Sequence, residues 1–216
     1  EIARALSQRI RALDDRPITH ALCSFWDNPD LQRLQDAGVP FGEMDAWARF
    51  TSPCADTVDI VGYNYLYERV EADHRRFPNR LIAHTETFPE VAAPSWRTVE
   101  ENDFVVGDFV WTAWDYFGEA GIGHVAYEKD SAAGLRPWPW LAANCGDISL
   151  CGQRRPQSYY REIVWGLRQK PYLAALDPRA AARKCAVSPW GFEDLFAAWT
   201  FPGCACLPAR TSASCS

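Results

Sequence analysis

No stretch of this 216-residue chain approaches the roughly eighteen consecutive apolar residues that a bilayer span needs, which argues against a membrane helix. The N-terminus does not read as a signal peptide either. EIARALSQRI is charged and amphipathic, so a soluble chain with no membrane partner is expected. Phosphate-cradling loops of the GxGxxG or Walker type are missing, which removes the usual nucleotide-binding uses of an α/β chain. A basic stripe is missing as well: the net charge is -6, the cationic residues are mostly Arg and scattered, and nucleic acid is not an expected partner. Eight cysteines are present, yet Cys23, Cys54, Cys145, Cys151 and Cys185 form no CxxC pair and have no His at finger spacing. Neither a metal site nor a cofactor is expected.

What the chain does have is apolar and aromatic content, 48% and 13%, sufficient for a core, laid out in alternation. Ile2, Leu6, Ile10 and Leu13 recur at helical spacing until Asp15-Arg16-Pro17, and ITHALCSF then reads as a buried strand. DLQRLQDAG predicts a short helix closed by Gly38, followed by a polar connection. VDIVGYNY is a second strand, whose Gly62 signals close packing by a neighbour. Tyr67, Val70, His74 and Phe77 share a helical face, RLIAH is the third strand, SWRTVEEN a helix, and FVVGDFVWTAW the fourth strand. After a long stretch rich in Gly, Pro and Trp, QSYYREIVWGLR predicts a last helix with Tyr160, Ile163, Val164 and Leu167 inward. Strands alternating with helices predict an α/β fold with a parallel sheet, either doubly wound or part of a barrel.

In both architectures functional residues gather where strands end. Those ends hold Ser24, Phe25 and Trp26, then Asn64 and Tyr65, then His84 and Glu86, then Trp111, Trp114, Asp115 and Glu119. Aromatic faces stack on the C–H faces of sugars, amides and carboxylates bind vicinal hydroxyls, and a buried carboxylate can attack an anomeric carbon. A carbohydrate substrate fits this set best.

DIVGYNY, HTETFP, VVGDFVWTAWDYFGEAGIG and CGDISLCGQRRPQSYYREIVWG together resemble consecutive blocks of the catalytic barrel of glycoside hydrolase family 2, the β-galactosidase family. The resemblance runs from residue 1 to about 203. It implies the C-terminal half, about strands five to eight, of a (β/α)8 TIM barrel over residues 1–170, a linker toward a β-sandwich over 171–203, and an atypical tail over 204–216. It further implies a retaining glycosidase for terminal β-galactosides, with β-glucuronide and β-mannoside as alternatives. Glu86 would be the nucleophile, Tyr65 the donor that keeps it ionised, and Asn64, His84, Trp111, Trp114 and Asp115 the sugar-binding set, with Asp115 holding either the loop or a hydroxyl.

Two departures from the family pattern matter. Its acid/base glutamate follows an asparagine, and no Asn-Glu dipeptide occurs here. Retaining hydrolysis needs a second carboxyl about 5–5.5 Å from the nucleophile. The expectation is therefore a fragment carrying half of the catalytic pair, with a binding remnant or an inert chain with open sheet edges as the alternatives. The second departure is the tail, where Cys, Ser and Ala replace the family pattern after Gly203, as a shifted frame or premature end would produce.

Overall fold

The computed structural model describes residues 1–23, 29–39, 45–127, 134–181, 183–198 and 200–204. Ser24, Phe25, Trp26, Cys206 and Cys215 lie outside them. Two compact units result, one formed by Glu1–Thr87 with Pro94–Val110, the other by Phe88–Ala93 with the chain from Trp111 onward.

The first unit is built on four parallel strands, β1 (Thr19–Leu22), β2 (Ile60–Asn64), β3 (Leu81–Thr87) and β4 (Val105–Val110), which lie side by side in chain order. Its helices are α1 (Ile2–Arg11), α2 (Pro29–Asp36), α3 (Asp45–Ala55), α4 (Val70–Arg76) and α5 (Ala92–Glu101), the last of which begins in the second unit. Alternate strand residues make the core: Leu22, Val61, Tyr63, Ile82 and Val105 pack with Trp47, Ala48 and Ala55 of α3 and Val70 of α4. The parallel α/β pattern expected from the sequence is thus present.

Helix α3 occupies part of the expected polar connection. Its apolar residues Trp47, Ala48 and Ala55 are nearly fully buried, and Pro53 inside it disguises the helical pattern. Hydroxyls of Thr51 and Ser52 bond back to the carbonyls of Trp47 and Ala48, at 2.9 and 2.7 Å. On α1 the expected stripe faces outward instead: Ser7 is buried, whereas Ile2 and Leu13 are 79% and 73% exposed.

A buried polar network ties β2 to α4. The Tyr63 hydroxyl donates to Asp73 Oδ2 at 2.9 Å, Arg69 Nη2 donates to Asp73 Oδ1 at 2.7 Å, and the Arg69 guanidinium lies 4.6 Å from the Trp47 ring centre. Buried charge is tolerable only with such pairing. The end of β2 is thereby tied to the start of α4.

The second unit contains short antiparallel pairs. β5 (Val125–Tyr127) pairs with β7 (Cys185–Val187), and β6 (Ala175–Leu176) with β8 (Leu195–Phe196). Two helices join them, α6 (Pro156–Val164) and α7 (Pro178–Ala181). The segment 175–196, expected as part of a linker, supplies three of these four strands. On α6 the inward residues are Gln157, Ser158 and Arg161, while Ile163 is 40% and Leu167 73% exposed. Polar bonding outcompetes the apolar stripe here: Gln157 Nε2 donates to the Gly146 carbonyl at 3.0 Å, and Arg161 Nε to Asp147 Oδ2 at 3.0 Å.

Candidate active site

Glu86 reaches its place through a one-residue irregularity in β3. Val61 and Tyr63 of β2 point into the core, so Gly62 and Asn64 point to the opposite face. On β3, Ile82 points into the core and His84 bonds to α5, so strict alternation would send Glu86 toward α5 as well. The register prevents this. Pairing is regular through Tyr63 and His84, then shifts so that Asn64 lies opposite Glu86, leaving Thr85 as the extra residue. The bulge moves Glu86 onto the Asn64 face.

Two contacts fix this corner. Tyr65, just past β2, adopts φ 59°, a left-handed conformation rare for a bulky residue, and its N–H donates to the Glu86 carbonyl at 2.8 Å. The Thr85 hydroxyl donates to Asn64 Oδ1 at 2.7 Å. Gly62 makes room, since a Cβ there would stand 2.6 Å from the His20 carbonyl and 2.7 Å from Thr85 Oγ1. Asn64, Tyr65, Thr85 and Glu86 are therefore brought together at the ends of two neighbouring strands.

His84 is placed differently. It is fully buried, its Nε2 lies 2.7 Å from Thr98 Oγ1 of α5, and burial pushes its pKa down to about 4. The neutral form of the imidazole is thereby favoured, with its ring on the α5 side of β3. Beside it, Thr87 donates to Asp108 Oδ1 of β4 at 2.8 Å.

The other three expected residues belong to the second unit. The Trp111 ring meets Tyr116 edge-on with centres 5.9 Å apart, and Trp114 is 55% exposed. Asp115 is buried and holds the loop: Oδ1 accepts from the N–H groups of Tyr116 and Asn144, and Oδ2 from Arg155 Nη2 at 2.7 Å. Gly146 permits this packing, because a Cβ there would lie 2.3 Å from the Asp115 nitrogen. Neighbouring carboxylates are also engaged, Asp147 with Arg161 and Glu119 with the Tyr116 hydroxyl.

A solved structure of a glycosyl hydrolase family 2 member from Bacteroides cellulosilyticus aligns with 94% of this chain at 33% identity and a TM-score of 0.63. The chain belongs to glycosyl hydrolase family 2. It spans only 23% of that relative's length. A second family 2 member, from Bacteroides cellulosilyticus DSM 14838, is 34% identical over 76% of this chain and 16% of its own, with a TM-score of 0.49. No protein-family model and no curated protein matches the sequence.

For this family 2 chain, sequence reasoning passed over three residues: Thr85 and Thr98 in the first unit and Arg155 in the second. Thr85 stands inside the HTETFP motif, but a bulge has no reliable sequence signature. Thr98 is one helical position among many. Arg155 was visible within QRRP, and only the fold pairs it with Asp115, forty positions away.

Proposed function

We propose that this chain carries the nucleophile side of a retaining glycoside hydrolase acting on terminal β-galactosides. The observation that carries the proposal is the bulge at Thr85, which sets Glu86 beside Asn64 and Tyr65 at adjoining strand ends. In this reading the ionised Glu86 carboxylate attacks the anomeric carbon, the bond from that carbon to the leaving oxygen breaks, and an acid protonates that oxygen. Water then attacks the glycosyl-enzyme, gives its proton to the same acid/base group, and releases Glu86. The Tyr65 hydroxyl favours the ionised nucleophile by hydrogen bonding. Asn64 binds the sugar beside Glu86, and His84 steadies β3 from behind; within the second unit, Asp115 keeps the loop after β4 in shape.

The four strands are in this view about half of a (β/α)8 barrel. Their simple order supports it, since a doubly wound sheet reverses direction at a switch point, whereas barrel strands follow one another around the ring. The Asn-Glu pair that carries the family's proton donor does not occur in the sequence, and among the described residues Asp115, Glu119 and Asp147 each engage a neighbouring side chain of their own unit.

A burst assay tests the function. With dinitrophenyl β-galactoside, whose leaving group needs little acid help, the chain is expected to release about one phenolate per molecule and then nearly stop. Glu86→Gln should abolish the burst while its urea midpoint stays close to wild type. Dinitrophenyl β-glucuronide and β-mannoside should give slower bursts. A full burst from Glu86→Gln would overturn the assignment, and repeated turnover of lactose would show that a proton donor is present after all.

A further inference from the structure

Asn64 is 6% exposed, and its side-chain oxygen is occupied by the Thr85 hydroxyl at 2.7 Å. Its Nδ2 has no hydrogen-bond partner among the described residues, yet it is not one of the fully enclosed unpartnered atoms. An amide nitrogen that is nearly buried, unpartnered and still reachable is a donor awaiting an acceptor. The register sets it level with Glu86.

We propose that Thr85 is a positioning residue that locks the polarity of the Asn64 amide, so that Asn64 presents N–H donors to a sugar hydroxyl oxygen beside Glu86. This deepens the glycosidase function proposed above and rests on it. Three features of the fold converge on the arrangement. The bulge supplies Thr85 as an extra residue, the absent side chain of Gly62 gives it space, and its hydroxyl takes the Asn64 carbonyl out of play. Without that hydroxyl the amide is free to turn over and offer its oxygen instead. Facing the same hydroxyl, an acceptor in place of a donor changes which lone pairs and protons of the sugar can be used, and the sugar's approach to Glu86 changes with it.

Thr85→Val keeps the shape and removes the hydroxyl, whereas Thr85→Ser keeps the hydroxyl. The Asn64 side-chain NH₂ signals, followed by ¹⁵N NMR in the 216-residue chain, should shift and exchange faster with solvent in Thr85→Val and return to their original positions in Thr85→Ser. The backbone amide spectrum checks that each variant folds. The phenolate burst with dinitrophenyl β-galactoside should slow roughly tenfold in Thr85→Val, as loss of one oriented hydrogen bond implies, and recover in Thr85→Ser. Unchanged Asn64 signals in Thr85→Val alongside an intact wild-type burst would overturn the Thr85 assignment alone. A wild-type chain without a burst would overturn the glycosidase function, and the sugar-facing role of Asn64 with it. Failure of Thr85→Ser to restore the signals would also count against the proposal.

Discussion

His84 sits one residue before the bulge with its ring against Thr98, and burial lowers its pKa from 6.5 to about 4. The folded state therefore holds this side chain neutral over a range where the unfolded chain protonates it. Stability contributed by neutral His84 is complete above about pH 6.5 and is lost as pH falls toward 4, because the unfolded state binds the extra proton. At pH 5 the loss is on the order of 2 kcal/mol. Urea midpoints measured at pH 7.5, 6 and 5 should fall steeply in the wild type and less steeply in His84→Gln. Burial also lowers the pKa of His20, so a smaller slope in the same direction should remain. Equal slopes in the two proteins would contradict the buried, neutral assignment. At this scale the sequence revealed residue types better than directions. Glu86 and Tyr65 were legible as strand-end residues, but the face on which His84 lies depends on its strand parity relative to a bulge one residue later. Asp115 was legible only as a choice between loop and hydroxyl, and its hydrogen bonds from Asn144 and Arg155, distant in sequence, could be seen only in the fold.

Among the elements, β2 and β4 each contain a glycine, and the two have opposite settings. A Cβ at Gly62 would meet the backbone carbonyl of His20 at 2.6 Å, an atom that cannot rotate away. At Gly107 nothing lies within 4 Å. Gly62→Ala should cost at least about 2 kcal/mol through forced displacement of the sheet, while Gly107→Ala should be neutral or slightly stabilising by restricting the unfolded chain. Denaturant midpoints of the two variants check this, and similar values would contradict the close approach of β1 and β3 to Gly62. The strands were readable because β-branched and aromatic residues cluster between turn signals. Reading α6 by its apolar stripe gave the wrong inner face, since a helix can bury a polar side when specific bonds anchor it, as Gly146 does for Gln157 and Asp147 for Arg161. Missing α3 has a similar cause: Pro53 interrupts the pattern, and burial of Trp47 overrides the poor local propensity.

For the whole molecule, the four-stranded order leaves β1 and β4 each with a single neighbour in the sheet among the described residues. Unsatisfied strand edges, together with the outward apolar stripe of α1, favour association with other chains or other segments. Family membership was legible from several motif blocks in sequence order, and a family 2 structure 33% identical over most of the chain agrees with it. The central claim is that Glu86 is the nucleophile and that these residues lack the acid/base partner. Its most direct test is intact-mass measurement after incubating the purified, monodisperse chain with dinitrophenyl 2-deoxy-2-fluoro-β-galactoside, followed by peptide mapping. The account predicts one added fluorogalactosyl group per chain, located on Glu86 and absent from Glu86→Gln; a label on another carboxylate, or equal labelling of Glu86→Gln, would contradict it.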